Sequence, residues 1–139
     1  MMKDAWENYK DYAWGANELA PVSKRGRNGG DIFGSTNMGA SIIDALSTLH
    51  IMGLDEEFEL GRNWTATAFN FNSVCNSVSV FETTIRFLGG LLSAYALSKD
   101  PIFLEKAVQV ADALLPAFDT PFGIPRPRVT PCRKVKLRF

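Results

Sequence analysis

In the stretch SVSVFETTIRFLGGLLSAYALS, residues 77–98, Glu82 and Arg86 stand four residues apart. Around them are Val78, Val80, Phe81, Ile85, Phe87, Leu88, Leu91 and Leu92. At that spacing an acid and a guanidinium share one helical face, which continues through Gly89, Gly90 and Ser93. Two readings follow. In the first, the two form an ordinary ion pair contributing about 0.3–0.5 kcal/mol, or Glu82 closes an S-x-x-E capping box with Ser79. In the second, a carboxyl set in an apolar wall keeps its proton more readily than in water and serves as a general acid, while Arg86 orients a polar substrate. The small residues beyond the pair let another helix backbone or a ligand come close. Spacing alone leaves both readings open.

Asp44 is the second candidate, because it interrupts the otherwise apolar stripe ASIIDALSTL. A satisfied structural aspartate is its plain alternative. His50, six residues on, is off that face and reads as packing or partly exposed. With one histidine and two cysteines, Cys75 and Cys132, the chain shows no metal-ligand spacing, so no zinc is expected and no metal ligand is assigned. A disulfide between the two cysteines is left open. Asn63-Trp64-Thr65 is a sequon, which makes Asn63 a candidate N-glycan acceptor in a secretory compartment.

The elements that must position these residues read as helices. Periodicity predicts one over 3–14 (Ala5, Trp6, Tyr9, Tyr12 and Ala13 inward) and one over 38–53 (Ile42, Ile43, Leu46, Leu49 and Met52 inward, Gly53 ending it). A third, over 55–69, opens on the acidic turn Asp55, Glu56, Glu57. The fourth begins near Asn76 or Ser77. The fifth spans 101–118, with Asp100 as N-cap, Pro101 in the first turn, and Phe103, Ala107, Val110, Leu114 and Phe118 inward. No segment alternates as a strand. Residues 21–37 read as a long loop. The class expected is all-α, built from antiparallel helical hairpins.

Composition supports one folded domain: 139 residues, 46% hydrophobic, 12% aromatic, net charge zero. Charge is uneven. The last fifteen residues, PRPRVTPCRKVKLRF, hold six Lys/Arg and no acid, while the rest hold nine against fifteen acids. A domain over 1–125 and a basic tail over 126–139 are therefore expected. The tail reads as a nucleic-acid or anionic-surface arm or, preferably, as an unstructured or aberrant end, so no nucleic-acid partner is expected. No signal segment is visible, and the apolar run Phe87–Leu97 is too short to span a bilayer.

Four blocks then carry a resemblance: YAWGANELAPVSKRG, GASIIDALSTLHIMGL, SVFETTIRFLGGLLSAYALS and LLPAFDTPFGIP. In that order they resemble the N-terminal part of the class I α-1,2-mannosidases, glycoside hydrolase family 47, over residues 4–125. The first block and the IMG are closer to the Golgi mannosidase I type than to the degradation-enhancing branch. The resemblance implies part of an (α/α)7 barrel, incomplete here, and calcium-dependent, inverting removal of terminal α-1,2-mannose from high-mannose N-glycans. It implies Glu82 as general acid, Arg86 as a mannose contact and Asp44 as a residue needed for activity. Gly89, Gly90 and Ser93 then leave room beside a sugar.

Two departures accompany it. Ser47 stands where the family has a second acid, and the water-activating base and the calcium-site threonine have no counterpart in these 139 residues. Inversion needs two carboxyl groups about 6.5–9.5 Å apart, so residues 1–139 alone are not expected to release mannose. The implied location is the Golgi or endoplasmic reticulum lumen, where family members are commonly membrane-anchored. The competing readings are a glycan-binding, degradation-type mannosidase-like protein and a non-catalytic helical scaffold.

Overall fold

Ile42, Ile43, Leu46 and Leu49 recur at the helical interval, and in the computed structural model they form the buried face of α2 (Ala40–Ile51). The structure describes residues 1–30 and 32–132. The other helices are α1 (Met2–Ala13), α3 (Asp55–Thr67), α5 (Gly89–Ser98) and α6 (Pro101–Leu114), of which α3 and α5 pack directly on α2. A short α4 (Val80–Glu82) and a π-helical segment (Thr83–Leu88) run directly into α5. The helix expected from Asn76 or Ser77 thus starts later, at Val80, because Val78 and Ser79 pair in a strand, and it carries a wider turn near its start. The α2–α3 and α5–α6 pairs are hairpins, and α5 packs on α2. Leu91, Phe103 and Val110 complete the core between them.

Close packing of α5 on α2 explains one of the two glycines. A Cβ on Gly90 would lie 3.0 Å from the Ile43 carbonyl oxygen. The room there is filled by the neighbouring helix backbone, not left for a sugar as the sequence reading had it. Beneath the π segment, Phe87 is fully buried against Phe33, Phe69 and Phe71, with ring centroids 5.2–5.9 Å away.

Four residues assigned inward by periodicity, Ala5, Tyr12, Met52 and Phe118, face out. Met52 is the C-cap residue beyond α2, and Phe118 follows a 3₁₀ turn (Leu115–Ala117) containing Pro116, so neither continues its helical face. Tyr12 instead lies under the Lys24 ammonium, 5.1 Å from its ring centroid. Strands, which no alternation announced, occur among the described residues as two small antiparallel ladders. Strand β1 (Glu18–Ala20), just before the span read as loop, pairs with β2 (Arg25–Arg27) inside it, and β3 (Val78–Ser79) pairs with β4 (Arg128–Val129). Two or three residues are too few for a period-two pattern to register. The second ladder also ties the start of the basic tail to the domain, and Cys75 and Cys132 form a disulfide across it. Residues 133–139 of that tail lie outside the described residues.

Asp100 caps α6 as expected: its Oδ1 accepts from the Ile102 N–H at 3.0 Å. Its Oδ2 accepts from Arg62 Nε at 2.7 Å, joining α3 to α6. The hydrogen bond from Arg62 holds the Asp100 carboxyl below the usual carboxylate range. The sign follows: the unfolded chain binds this proton more readily, so the contribution is present above the unfolded pKa of about 3.9 and is lost as pH falls through the lower folded value. Urea midpoints recorded from pH 6 down to 2 should show an acid-side loss that Asp100→Asn, which keeps the cap, reduces.

Candidate active site

The site begins with a turn around Asn17. Its side chain is buried, accepts from the Met38 and Ala40 N–H groups (3.0 and 3.5 Å) and donates to the Thr36 carbonyl (2.9 Å). Its backbone carbonyl accepts from the Ser41 hydroxyl at 2.8 Å. The opening turn of a helix has N–H groups without intrahelical partners, and Asn17 supplies acceptors for the start of α2. Asn17→Ala would leave the buried Met38 N–H unpaired. A loss of about 2 kcal/mol in urea unfolding is expected.

One turn along from Ser41, Asp44 stands at the edge of α2. Across from it, Arg86 on the π segment donates from Nη1 to Asp44 Oδ2 at 2.8 Å and from Nε to Glu82 Oε2 at 2.7 Å. The guanidinium thus bridges two carboxylates from different elements. The Glu82 carboxylate first, and Asp44 second, hold the Arg86 guanidinium above its ordinary pKa. Side-chain exposure is 23% for Glu82, 36% for Asp44 and 42% for Arg86, so the three sit at an open rim. The apolar wall expected around Glu82 is not closed among the described residues, since Phe81, Ile85 and Leu92 are also exposed.

The capping box is half formed. Ser79 Oγ accepts from the Glu82 N–H at 3.3 Å, but the Glu82 side chain turns to Arg86 instead of reaching back. Arg86 and Asp44 line a cavity of about 120 Å³ together with Asn17, Glu18, Phe33 and Ser41. Asn17 and Phe33 escaped the sequence reading as site residues. The only signal for Asn17 was its place in the NEL block. Elsewhere, His50 packs edge-on against Phe58, centroids 5.0 Å apart. Asn63 is exposed on α3, while Thr65 of its sequon is fully buried and donates to the Gly61 carbonyl. Among the described residues, no three His, Cys, Asp or Glu side chains gather where they could hold a metal ion, and no helix is long and apolar enough to cross a membrane.

An acid, an arginine and a second acid on adjoining helices of an all-α fold are the frame on which the comparisons bear. The model of glycosyl hydrolase family 47 matches residues 1–137, and the chain belongs to that family. It is similar to mannosyl-oligosaccharide 1,2-alpha-mannosidase IB of Mus musculus, 58% identical over 125 residues, covering 90% of this chain and 19% of that protein. Mannosyl-oligosaccharide alpha-1,2-mannosidase IA of Spodoptera frugiperda is 52% identical over all 139 residues, 21% of its own length. The structure superposes on the alpha-1,2-mannosidase from Trichoderma reesei with a TM-score of 0.82 at 34% identity, over 92% of this chain and 28% of that one. The fold is thus a set of helical hairpins from an α/α barrel. The chain spans about a fifth of the length of these curated relatives. The family match also runs past residue 125, where the sequence reading ended it.

Proposed function

We propose that this chain supplies the general-acid wall of an inverting α-1,2-mannosidase that trims terminal α-1,2-linked mannose from high-mannose N-glycans. The observation that carries this is the Arg86 bridge between Glu82 and Asp44, two of whose residues, Arg86 and Asp44, line a neighbouring cavity. Glu82 is the acid: it delivers a proton to the glycosidic oxygen as the bond to the leaving sugar breaks. A mannose hydroxyl that accepts from Arg86 would draw the guanidinium away from Glu82 and leave that carboxyl free to face the glycosidic oxygen. Asp44 is on this reading a positioning residue, the alternative acceptor that keeps Arg86 in place. A second cavity of about 270 Å³, reaching Arg27 and Asn28, shares Asn17, Glu18, Ile32 and Phe33 with the first, which suits a substrate longer than one sugar ring.

Among the described residues, Glu82 and Asp44 are both engaged by Arg86, and Glu18, which also lines the cavity, faces Arg27 at 4.0 Å; none of them is proposed to activate water from the opposite face of the sugar, so residues 1–139 alone should not release mannose. The described residues do not fit calcium, and no step here depends on it; calcium is proposed for the complete barrel, with ligands drawn from elsewhere. A relative in Schizosaccharomyces pombe carries endoplasmic reticulum in its name, and the proposed location is the secretory pathway, in the Golgi or endoplasmic reticulum lumen. The Cys75–Cys132 disulfide suits such an oxidising compartment.

The test is a chimera. Residues 1–132, with Cys75 and Cys132 both present, replace the corresponding stretch of the mouse enzyme, and free mannose is measured from α-1,2- and α-1,6-linked mannosides. Release from the α-1,2 linkage is expected. A folded chimera that releases none would sink the proposal.

A further inference from the structure

We propose that residues 126–132 form a disulfide-locked strap that sets the place of Glu82, so that the geometry of the site depends on the oxidation state of Cys75 and Cys132. The catalytic importance of that place rests on the reading proposed above; the strap itself does not.

The connection is short and continuous. Ser79 is the N-cap of α4, and its hydroxyl accepts from the Glu82 N–H. Its position in turn is fixed from two sides. The Ser79 N–H donates to the Ile32 carbonyl at 2.8 Å, and the next N–H, of Val80, donates to the Pro127 carbonyl at 3.0 Å. That Val80 group is one of the N–H donors that a helix start cannot satisfy internally. The strap therefore completes the very turn on which Glu82 stands.

Further bonds hold the strap against β3. Val129 faces Val78 and Arg128 faces Ser79 in the ladder. The Arg128 guanidinium donates to the Ser77 hydroxyl and carbonyl at 3.0 and 2.7 Å. At one end the Arg126 N–H donates to the Ala117 carbonyl at 2.8 Å, which anchors the strap to the turn after α6. At the other end, the Cys132 N–H donates to the Val74 carbonyl at 2.9 Å and the disulfide joins Cys132 to Cys75. Two-residue strands pair weakly without further support. The covalent bond is what keeps this end in register.

The lock is within reach of a reductant, since Cys75 is exposed and Cys132 is half-buried. In exchange with a dithiol such as dithiothreitol, one reagent thiolate attacks the Cys75 sulfur. A mixed disulfide forms and Cys132 leaves as a thiolate, which takes up a proton. The second reagent thiolate then displaces Cys75. Two electrons pass to the protein, both cysteines end as thiols, and the reagent closes to its cyclic disulfide.

The experiment uses the ¹⁵N-labelled 139-residue chain, oxidised and then reduced in place with dithiothreitol, so that no variant need refold. Hydrogen exchange is followed at Val80 and Cys132, and at Leu46 and Val110 as core references. The Arg86 Nε–H resonance reports the bridge to Glu82. On reduction, exchange at Val80 and Cys132 should rise by about tenfold or more while the two core amides hold, and the Arg86 resonance should move. Reoxidation should restore both, and Cys132→Ser should reproduce the reduced state. Equal acceleration at all four amides would mean a general stabiliser and would overturn the proposal. So would an unchanged Val80, or an Arg86 resonance that stays still. Failure of the catalytic reading shows separately, in the mannose assay of the chimera.

Discussion

Glu82→Gln in the mouse chimera should lower kcat for α-1,2-mannoside hydrolysis by about 10²–10⁴-fold, the range for losing a positioned general acid. Glutamine keeps the shape of the side chain and still accepts from Arg86 Nε, now 2.7 Å from Glu82 Oε2. It has no acidic proton for the leaving oxygen. The loss should therefore fall on kcat, with KM little changed, because a contact that matters only in the transition state has gone. Arg86→Lys should differ. A single ammonium cannot present two donors in the fork that spans Glu82 and Asp44, so KM should rise along with the fall in kcat. If both variants hydrolyse at the parent rate, Glu82 and Arg86 are structural and the scaffold reading takes over.

The second large effect concerns stability. Gly39→Ala should lower the free energy of unfolding by about 3 kcal/mol, combining a left-handed residue with an overfilled contact. Gly39 precedes α2 with φ +61°, and its N–H donates to the Gly15 carbonyl at 3.1 Å. A Cβ there would lie 2.2 Å from Cη2 of Trp64 and 2.6 Å from Cζ3. That indole has little freedom to withdraw, since Gly15 leaves room for its other side, where a Cβ would meet Nε1 at 3.3 Å. Gly53→Ala is the matched control: its φ is +67°, with nothing within 4 Å of the added carbon. It should cost only the backbone strain, about 1 kcal/mol. Equal losses for the two in urea titrations would show that the Trp64 contact does not matter.

Much of this was legible from local chemistry. The apolar stripes of α2 and α6 carry a 3.6-residue period that only a buried helical face requires, and Asp100-Pro101 announced the start of α6 by capping and fixed φ. Glu82, Arg86 and Asp44 stood out because charge inside an apolar run needs a partner. Other features left no such trace. The π segment at Thr83–Leu88 has no distinct composition. Thr83, at its start, is fully buried, and its hydroxyl has no hydrogen-bond partner among the described residues.

By itself, then, the sequence determined an all-α chain, its helices to within a few residues, and three charged residues worth attention, since periodicity and capping are local properties. Only the tertiary structure decided what those residues touch. Asp44 and Arg86 are 42 positions apart, and Glu82 had two plausible partners within its own helix turn. Which one it takes depends on how α5 docks on α2, and Gly90 permits that docking by letting the helix approach the Ile43 carbonyl. The same holds for Cys75 and Cys132, 57 residues apart. Long-range pairing is settled by packing, which no short window of residues contains.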